Sequence, residues 1–201
     1  ENYPPAAFYS AMNSLGTHDT VRILTLLGVG SDCAAQSKEW RAEYRMTPEE
    51  RLRGLQRLRL ASLVQYAFPG SPTLYYGDEA GMEGFEDPFN RRPFPWGAED
   101  RDLTAWYAAL GRARRTLPPL RRGDIQYIRA EGGVLAFTRT WEGDTVLCAA
   151  NGGGEPARLE LPGSWADLDG MVTHPARRDT GLARTDLPPM TGLLLRRLPT
   201  P

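Results

Sequence analysis

Apolar residues follow two different rhythms along this chain. After Thr47-Pro-Glu-Glu50, Leu52, Leu55, Leu58, Ser62, Leu63 and Tyr66 recur at three- and four-residue steps, which predicts a helix with one face packed on a sheet. Its start is marked by an N-cap Thr, a proline at the first helical position and a Glu placed to complete a capping box. Phe68-Pro-Gly-Ser-Pro72 ends it. A second helical stripe, Leu103, Trp106, Tyr107, Leu110 and Ala113, predicts a helix from about Leu103 to Thr116. Short apolar segments at Ala11–Leu15 and Thr73–Tyr76 read as strands. Thr20–Leu27 reads as a short helix, with Asp19 or Thr20 near its start and Gly28 as the left-handed residue past its end. The stretch from Gly28 to Met46 reads as a polar loop.

Near Leu117-Pro-Pro-Leu-Arg-Arg-Gly123 the rhythm changes. Strands are expected at Asp124–Ala130, Val134–Thr140, Asp144–Asn151, Ala157–Leu161 and Leu193–Arg197, with hairpin turns at Gly132-Gly133 and Glu142-Gly143-Asp144. Leu135, Phe137 and Arg139 alternate with Val134, Ala136 and Thr138, as in a sheet buried on at least one face. The expected fold is therefore α/β plus all-β: strand–helix units first, then a small antiparallel sandwich.

Composition narrows the function classes. Hydrophobic residues at 41% and charged residues at 24% are globular values, and no apolar run approaches the roughly 20 residues of a membrane helix. Lys38 is the only lysine among 24 basic residues, and the net charge is -1. Without net positive charge or a basic stripe, nucleic-acid binding has little electrostatic support. Cys33 and Cys148 form neither a disulfide framework nor a zinc spacing, which favours a reducing compartment. No Gly-x-Ser-x-Gly elbow accompanies Ser14, His18 and Asp19, and the glycine clusters match neither a dinucleotide nor a P-loop fingerprint.

Three motifs carry the chemistry. Asn13-Ser-Leu-Gly-Thr-His-Asp-Thr-Val-Arg22 places a His-Asp pair just after a strand. Phe68-Pro-Gly-Ser-Pro-Thr-Leu-Tyr-Tyr-Gly-Asp-Glu-Ala-Gly-Met82 brings Asp78 and Glu79 to the end of the next, and Asp87-Pro-Phe-Asn-Arg-Arg-Pro-Phe-Pro-Trp96 follows. Together, and in this order, they resemble the C-terminal portion of the α-amylase family of glycoside hydrolases, closest to the neopullulanase, cyclomaltodextrinase and maltogenic-amylase subgroup. Val21 departs from that subgroup, where proline is expected, and should alter the start of a helix.

The resemblance implies that residues 1–119 are strands seven and eight, with their helices, of a (β/α)₈ barrel, and that residues 120–201 are a C-terminal β-sandwich. A complete barrel takes about 250 residues, more than this chain holds beside its β-rich part. It also implies a retaining attack on an α-1,4-glucan or cyclomaltodextrin, which needs a nucleophile and an acid/base about 5 Å apart. Both are expected on strands preceding this segment, so the chain alone is expected to be inactive without the N-terminal part of the same enzyme. Asp19 matches the third carboxylate, which stabilises the transition state by holding sugar hydroxyls, and His18 the hydrogen-bonding residue beside it. Asp87 and Arg91 are expected to contact sugar. No cofactor or metal is expected, and a cytoplasmic location follows from the resemblance.

Other roles are plainer. Asp78 and Glu79 read as supports of the site and Arg22 as structural, paired with an acid or packed along the short helix. Arg92 reads as a pin for its loop. Phe85, Phe89, Phe94 and Trp96 could stack on sugar or pack the loop. Trp141 and Trp165 read as core or edge fillers, and His174 as an exposed loop residue. A rival reading is a non-catalytic carbohydrate-binding or interaction module working through the β-rich tail. A third is a structural fragment whose unpaired sheet edges drive self-association.

Overall fold

The computed structural model describes residues 3–30, 36–161, 163–168 and 184–198. Cys33 and His174 lie outside the described residues. The first part runs α1 (Pro5–Ser10), β1 (Met12–Ser14), α2 (Ile23–Val29), α3 (Lys38–Glu43), α4 (Pro48–Ala67), β2 (Ser71–Thr73), α5 (Arg101–Thr116) and α6 (Pro118–Arg122). The second runs β3 (Asp124–Glu131), β4 (Val134–Trp141), β5 (Asp144–Asn151), β6 (Ala157–Glu160), β7 (Trp165–Asp167), β8 (Arg184–Leu187) and β9 (Thr191–Arg197).

β1 and β2 pair in parallel, with Met12 opposite Ser71 and Ser14 opposite Thr73. Gln65 on α4 donates its side-chain amide to the carbonyls of Asn13 (2.7 Å) and Thr73 (3.1 Å), one on each strand. The helix thereby holds the two strands side by side. α4 starts as its sequence demands: Thr47 Oγ1 accepts from the Glu50 amide, and Glu50 returns the bond to the Thr47 amide. Its buried stripe includes Leu58, Leu60 and Leu63, whereas Leu52, expected on the packed face, is exposed.

Several boundaries differ from the sequence expectation for identifiable reasons. α2 begins at Ile23 instead of Thr20, because residues 17–20 close on themselves: Thr20 Oγ1 accepts from the Thr17 amide and Thr17 Oγ1 from the Asp19 amide. Val21 thus precedes the helix. Gly28 lies inside α2, and Gly30, with φ 97°, supplies the left-handed cap. Gly28 and Gly54 sit instead where α2 crosses α4; a Cβ on Gly54 would lie 2.9 Å from the Leu24 carbonyl oxygen. The expected loop contains α3, capped by Ser37, which accepts from the Trp40 amide. The second strand comes two residues early, since β1 offers partners only as far as Ser14.

The five-stranded sheet has the order β3-β4-β5-β9-β7 and is antiparallel throughout, and β6 pairs with β8 in a separate ribbon. β7 and β8 were not expected. Both predicted hairpins form, with left-handed backbone at Gly132, Gly133, Glu142 and Gly143. Alternation along the strands sorts side chains to two faces. Phe137, Val146, Cys148 and Leu194 join the helical core of Leu58, Leu63, Leu103, Trp106 and Leu110. Ala136, Leu147, Ala149, Leu193 and Leu195 face the other way, onto Leu159, Leu161 and Leu187 of the ribbon side. The sheet is covered on both faces. At Gly192 the helix touches it directly, since a Cβ there would lie 2.7 Å from methyl groups of Leu60 and Leu63.

Arg139 is fully buried where the two parts meet. It donates to the Gly123 carbonyl through Nε (3.0 Å) and Nη2 (2.8 Å), and to the Ala67 carbonyl through Nη1 (2.7 Å). The carbonyl at the end of α4 and the one following α6 are thereby satisfied by one guanidinium from the sheet. Burial pushes its pKa down to about 10.

Candidate functional site

Parallel pairing makes the loops after β1 and β2 leave from the same end of the sheet, and the candidate residues gather there. His18 Nε2 lies 3.1 Å from Asp19 Oδ1. Arg91 reaches both acids: its Nε is 2.9 Å from Asp87 Oδ1 and its Nη2 is 3.7 Å from Asp19 Oδ1. All four predicted residues therefore fall in one charged cluster. The side chains stay open to solvent, with His18 61% and Asp19 70% exposed, so their polar atoms remain accessible to a hydroxyl-rich ligand.

Beneath this surface lies a buried support. Arg22, 1% exposed, donates through Nη1 to Asp78 Oδ1 (3.1 Å) and to the Tyr76 carbonyl, and through Nε to the Asn90 carbonyl (2.8 Å). Its guanidinium carbon sits 4.2 Å from the Tyr75 ring centroid and 4.6 Å from that of Tyr76. The structural reading of Arg22 thus acquires a partner, Asp78. Burial pushes the Asp78 carboxyl up to about 6, although the charge and hydrogen bond of Arg22 pull it down. Gly16 leaves room for this acid, since a Cβ there would lie 2.8 Å from Asp78 Oδ2. Glu79 turns back instead, accepting from the Gly77 amide (2.9 Å).

Asn90 is the residue that sequence reasoning missed. It is fully buried in the 3₁₀ turn Phe89–Arg91 and donates to the carbonyls of His18 and Thr20, both at 2.8 Å. No signal marked it, because an Asn in a polar loop is unremarkable until its tertiary acceptors are known. Arg92 pins the loop as read, donating to the Ala42 carbonyl (2.8 Å) while its own carbonyl accepts from Tyr76 Oη. Phe85 is buried against Trp40 and Tyr44, so it packs the loop, whereas Trp96 is 84% exposed beside Phe94. Trp165 packs against the second core cluster and Trp141 is half-buried. An apolar cleft of about 610 Å³ lined by Leu15, Leu27, Leu60, Val64 and Leu135 includes none of the four candidates. Among the described residues no group of three or more His, Cys, Asp or Glu is placed to hold a metal, and no helix is long and apolar enough to cross a membrane.

The family model for the maltogenic amylase C-terminal domain matches residues 125–191. Neopullulanase 2 of Thermoactinomyces vulgaris is 32% identical over 204 residues, covering 96% of this chain and 30% of that protein. This chain belongs to the α-amylase family of glycoside hydrolases. An amylopullulanase of Thermoanaerobacter thermohydrosulfuricus is 42% identical over 139 residues, 69% of this chain and 9% of the amylopullulanase. The solved type III pullulan hydrolase of Thermococcus kodakarensis superposes with a TM-score of 0.69 at 33% identity, over 92% of this chain and 28% of that one. This α-amylase-family chain therefore spans less than a third of the length of each of these relatives. Its five-stranded sheet is consistent with the C-terminal β-domain of these proteins.

Proposed function

We propose that this chain is the C-terminal part of a retaining α-glucan hydrolase of the α-amylase, neopullulanase or cyclomaltodextrinase type. Residues 1–119 supply strands seven and eight of a (β/α)₈ barrel with their helices, and residues 120–201 supply the closing β-domain. The observation that carries this reading is the meeting of His18, Asp19, Asp87 and Arg91 at the C-terminal ends of two parallel strands, where barrel enzymes place their catalytic loops.

In this role Asp19 accepts hydrogen bonds from sugar hydroxyls and holds the ring in a distorted form, which accelerates the reaction only because the bonds strengthen in the transition state. His18 donates to the same sugar. Arg91 bridges Asp19 to Asp87 and extends the polar surface toward the next sugar. Attack on the anomeric carbon and protonation of the leaving oxygen fall to a carboxylate pair contributed by an N-terminal part of the same enzyme, so these 201 residues alone do not turn over substrate. The outer edges of β1 and β2 carry no further strand among the described residues, which favours self-association of the isolated chain.

The test is reducing-sugar release from cyclomaltodextrin and soluble starch by the chain alone and mixed with a separately made upstream part. Activity only in the mixture, sharply lowered by Asp19→Asn to a residual rate, is the expected result. Turnover by the chain alone would overturn the assignment.

A further inference from the structure

We infer that Asn90 is the positioning residue for Asp19, an assignment that rests on the proposed role of that carboxylate. His18 and Thr20 flank Asp19 in sequence, and the carbonyls of both accept from the single side-chain nitrogen of Asn90, each at 2.8 Å. Because both contacts are carbonyl oxygens, the nitrogen end of the amide must face them. A primary amide has two N–H groups, and both are used here; an ionised Asp of the same shape has none.

The clamp is itself held. Asn90 is fully buried, its carbonyl accepts from Arg22 Nε at 2.8 Å, and Arg22 is anchored on Asp78. The Arg22 amide donates to the Gly84 carbonyl, and the Gly84 amide to Thr25 Oγ1, so the loop after β2 is stitched to the start of α2 on either side of the clamp. Asp19, by contrast, has an exposed side chain whose charged partners among the described residues, His18 and Arg91, are themselves exposed. Its backbone position is therefore set chiefly by the two bonds from Asn90 and by the short turn of Thr17 and Thr20.

The experiment is steady-state kinetics of the full-length enzyme on a chromogenic aryl α-maltooligoside, comparing wild type, Asn90→Ala, Asp19→Asn and the double variant. Displacement of a catalytic group by about 1 Å costs on the order of 100-fold, so Asn90→Ala should lower kcat about 100-fold, with KM within about threefold and the thermal midpoint held. In the Asp19→Asn background the same change should cost less than about threefold, because the group it positions is already gone. If Asn90→Ala does not fold, Asn90→Ser, which keeps one donor, should lose about tenfold in kcat. An unchanged kcat, or an equal loss in both backgrounds, would overturn the assignment of Asn90. If Asp19→Asn is itself fully active, the role of Asp19 fails, and that of Asn90 with it; if Asp19→Asn is strongly impaired and Asn90→Ala normal, only the latter fails.

Discussion

Arg22 Nη1 lies 3.1 Å from Asp78 Oδ1 with both side chains withdrawn from solvent, so the polar surface around Asp19 stands on a buried ion pair. The pair joins the loop after β1 to the loop after β2, and two tyrosine rings stack on its cation. Removing one partner of such a pair strands the other charge, at a cost of about 3–5 kcal/mol. Arg22→Met should therefore destabilise the chain by that order, and adding Asp78→Leu should recover the part due to the stranded carboxylate, leaving the cost of the unpaired Tyr76 and Asn90 carbonyls. Urea unfolding of the wild type and the two variants measures both values. A double variant no better than Arg22→Met would show that the charges are not what couples these positions.

Asp78 also gives the stability curve a definite sign. Burial pushes its carboxyl up to about 6 from the ordinary 3.8. A carboxyl raised on folding holds its proton more tightly in the native state, so its contribution is full below 3.8 and lost as pH rises through about 6. The thermal midpoint of the chain should step down across that window, and the step should be missing in Asp78→Asn. Superimposable profiles for the two proteins would contradict the raised value.

Arg91 is placed to affect binding more than chemistry, since it bridges Asp87 and Asp19 at the solvent side of the cluster. A hydrogen bond to a charged group is worth about 1.5–3 kcal/mol, so Arg91→Ala in the full-length enzyme should raise KM for maltooligosaccharides about tenfold or more. Kinetics with substrates of increasing length check this. An unmoved KM at every length would remove Arg91 from the sugar-contacting set.

Two glycines should respond in opposite directions to the same methyl group. Gly192→Ala drives a Cβ to 2.7 Å from Leu60 and Leu63, and overpacking of this kind costs about 1–3 kcal/mol. Gly111 lies within α5 with nothing near its added Cβ, so Gly111→Ala should stabilise by about 0.5–1 kcal/mol through helix propensity. Paired denaturation curves decide; a Gly192→Ala that does not destabilise would refute the helix-on-sheet contact at Gly192.

The sequence was most legible where a local rule acts alone. The capping box at Thr47, the Leu103–Ala113 stripe and the two glycine hairpins all depend on residues within a few positions of one another, and each formed as expected. It was least legible where a distant partner decides. Gly28 satisfies the local pattern of a helix stop, yet it sits at the crossing of α2 and α4. Leu52 keeps the helical period but finds nothing to pack against. β7 and β8 are short and pair with segments far along the chain, which no periodicity announces.

The same division holds at the candidate site. His18, Asp19, Asp87 and Arg91 are legible in the sequence through motifs that resemble those of the α-amylase family. That they meet was decided by the tertiary structure, through a parallel pairing of three residues per strand that turns both loops to one end. The supports under them, Arg22 on Asp78 and Asn90 on the carbonyls of His18 and Thr20, span 56 to 72 residues of sequence. A local pattern sets which chemical groups are present; only the packed fold sets which buried donor faces which carbonyl, since each such bond depends on elements that are neighbours in space and strangers in sequence.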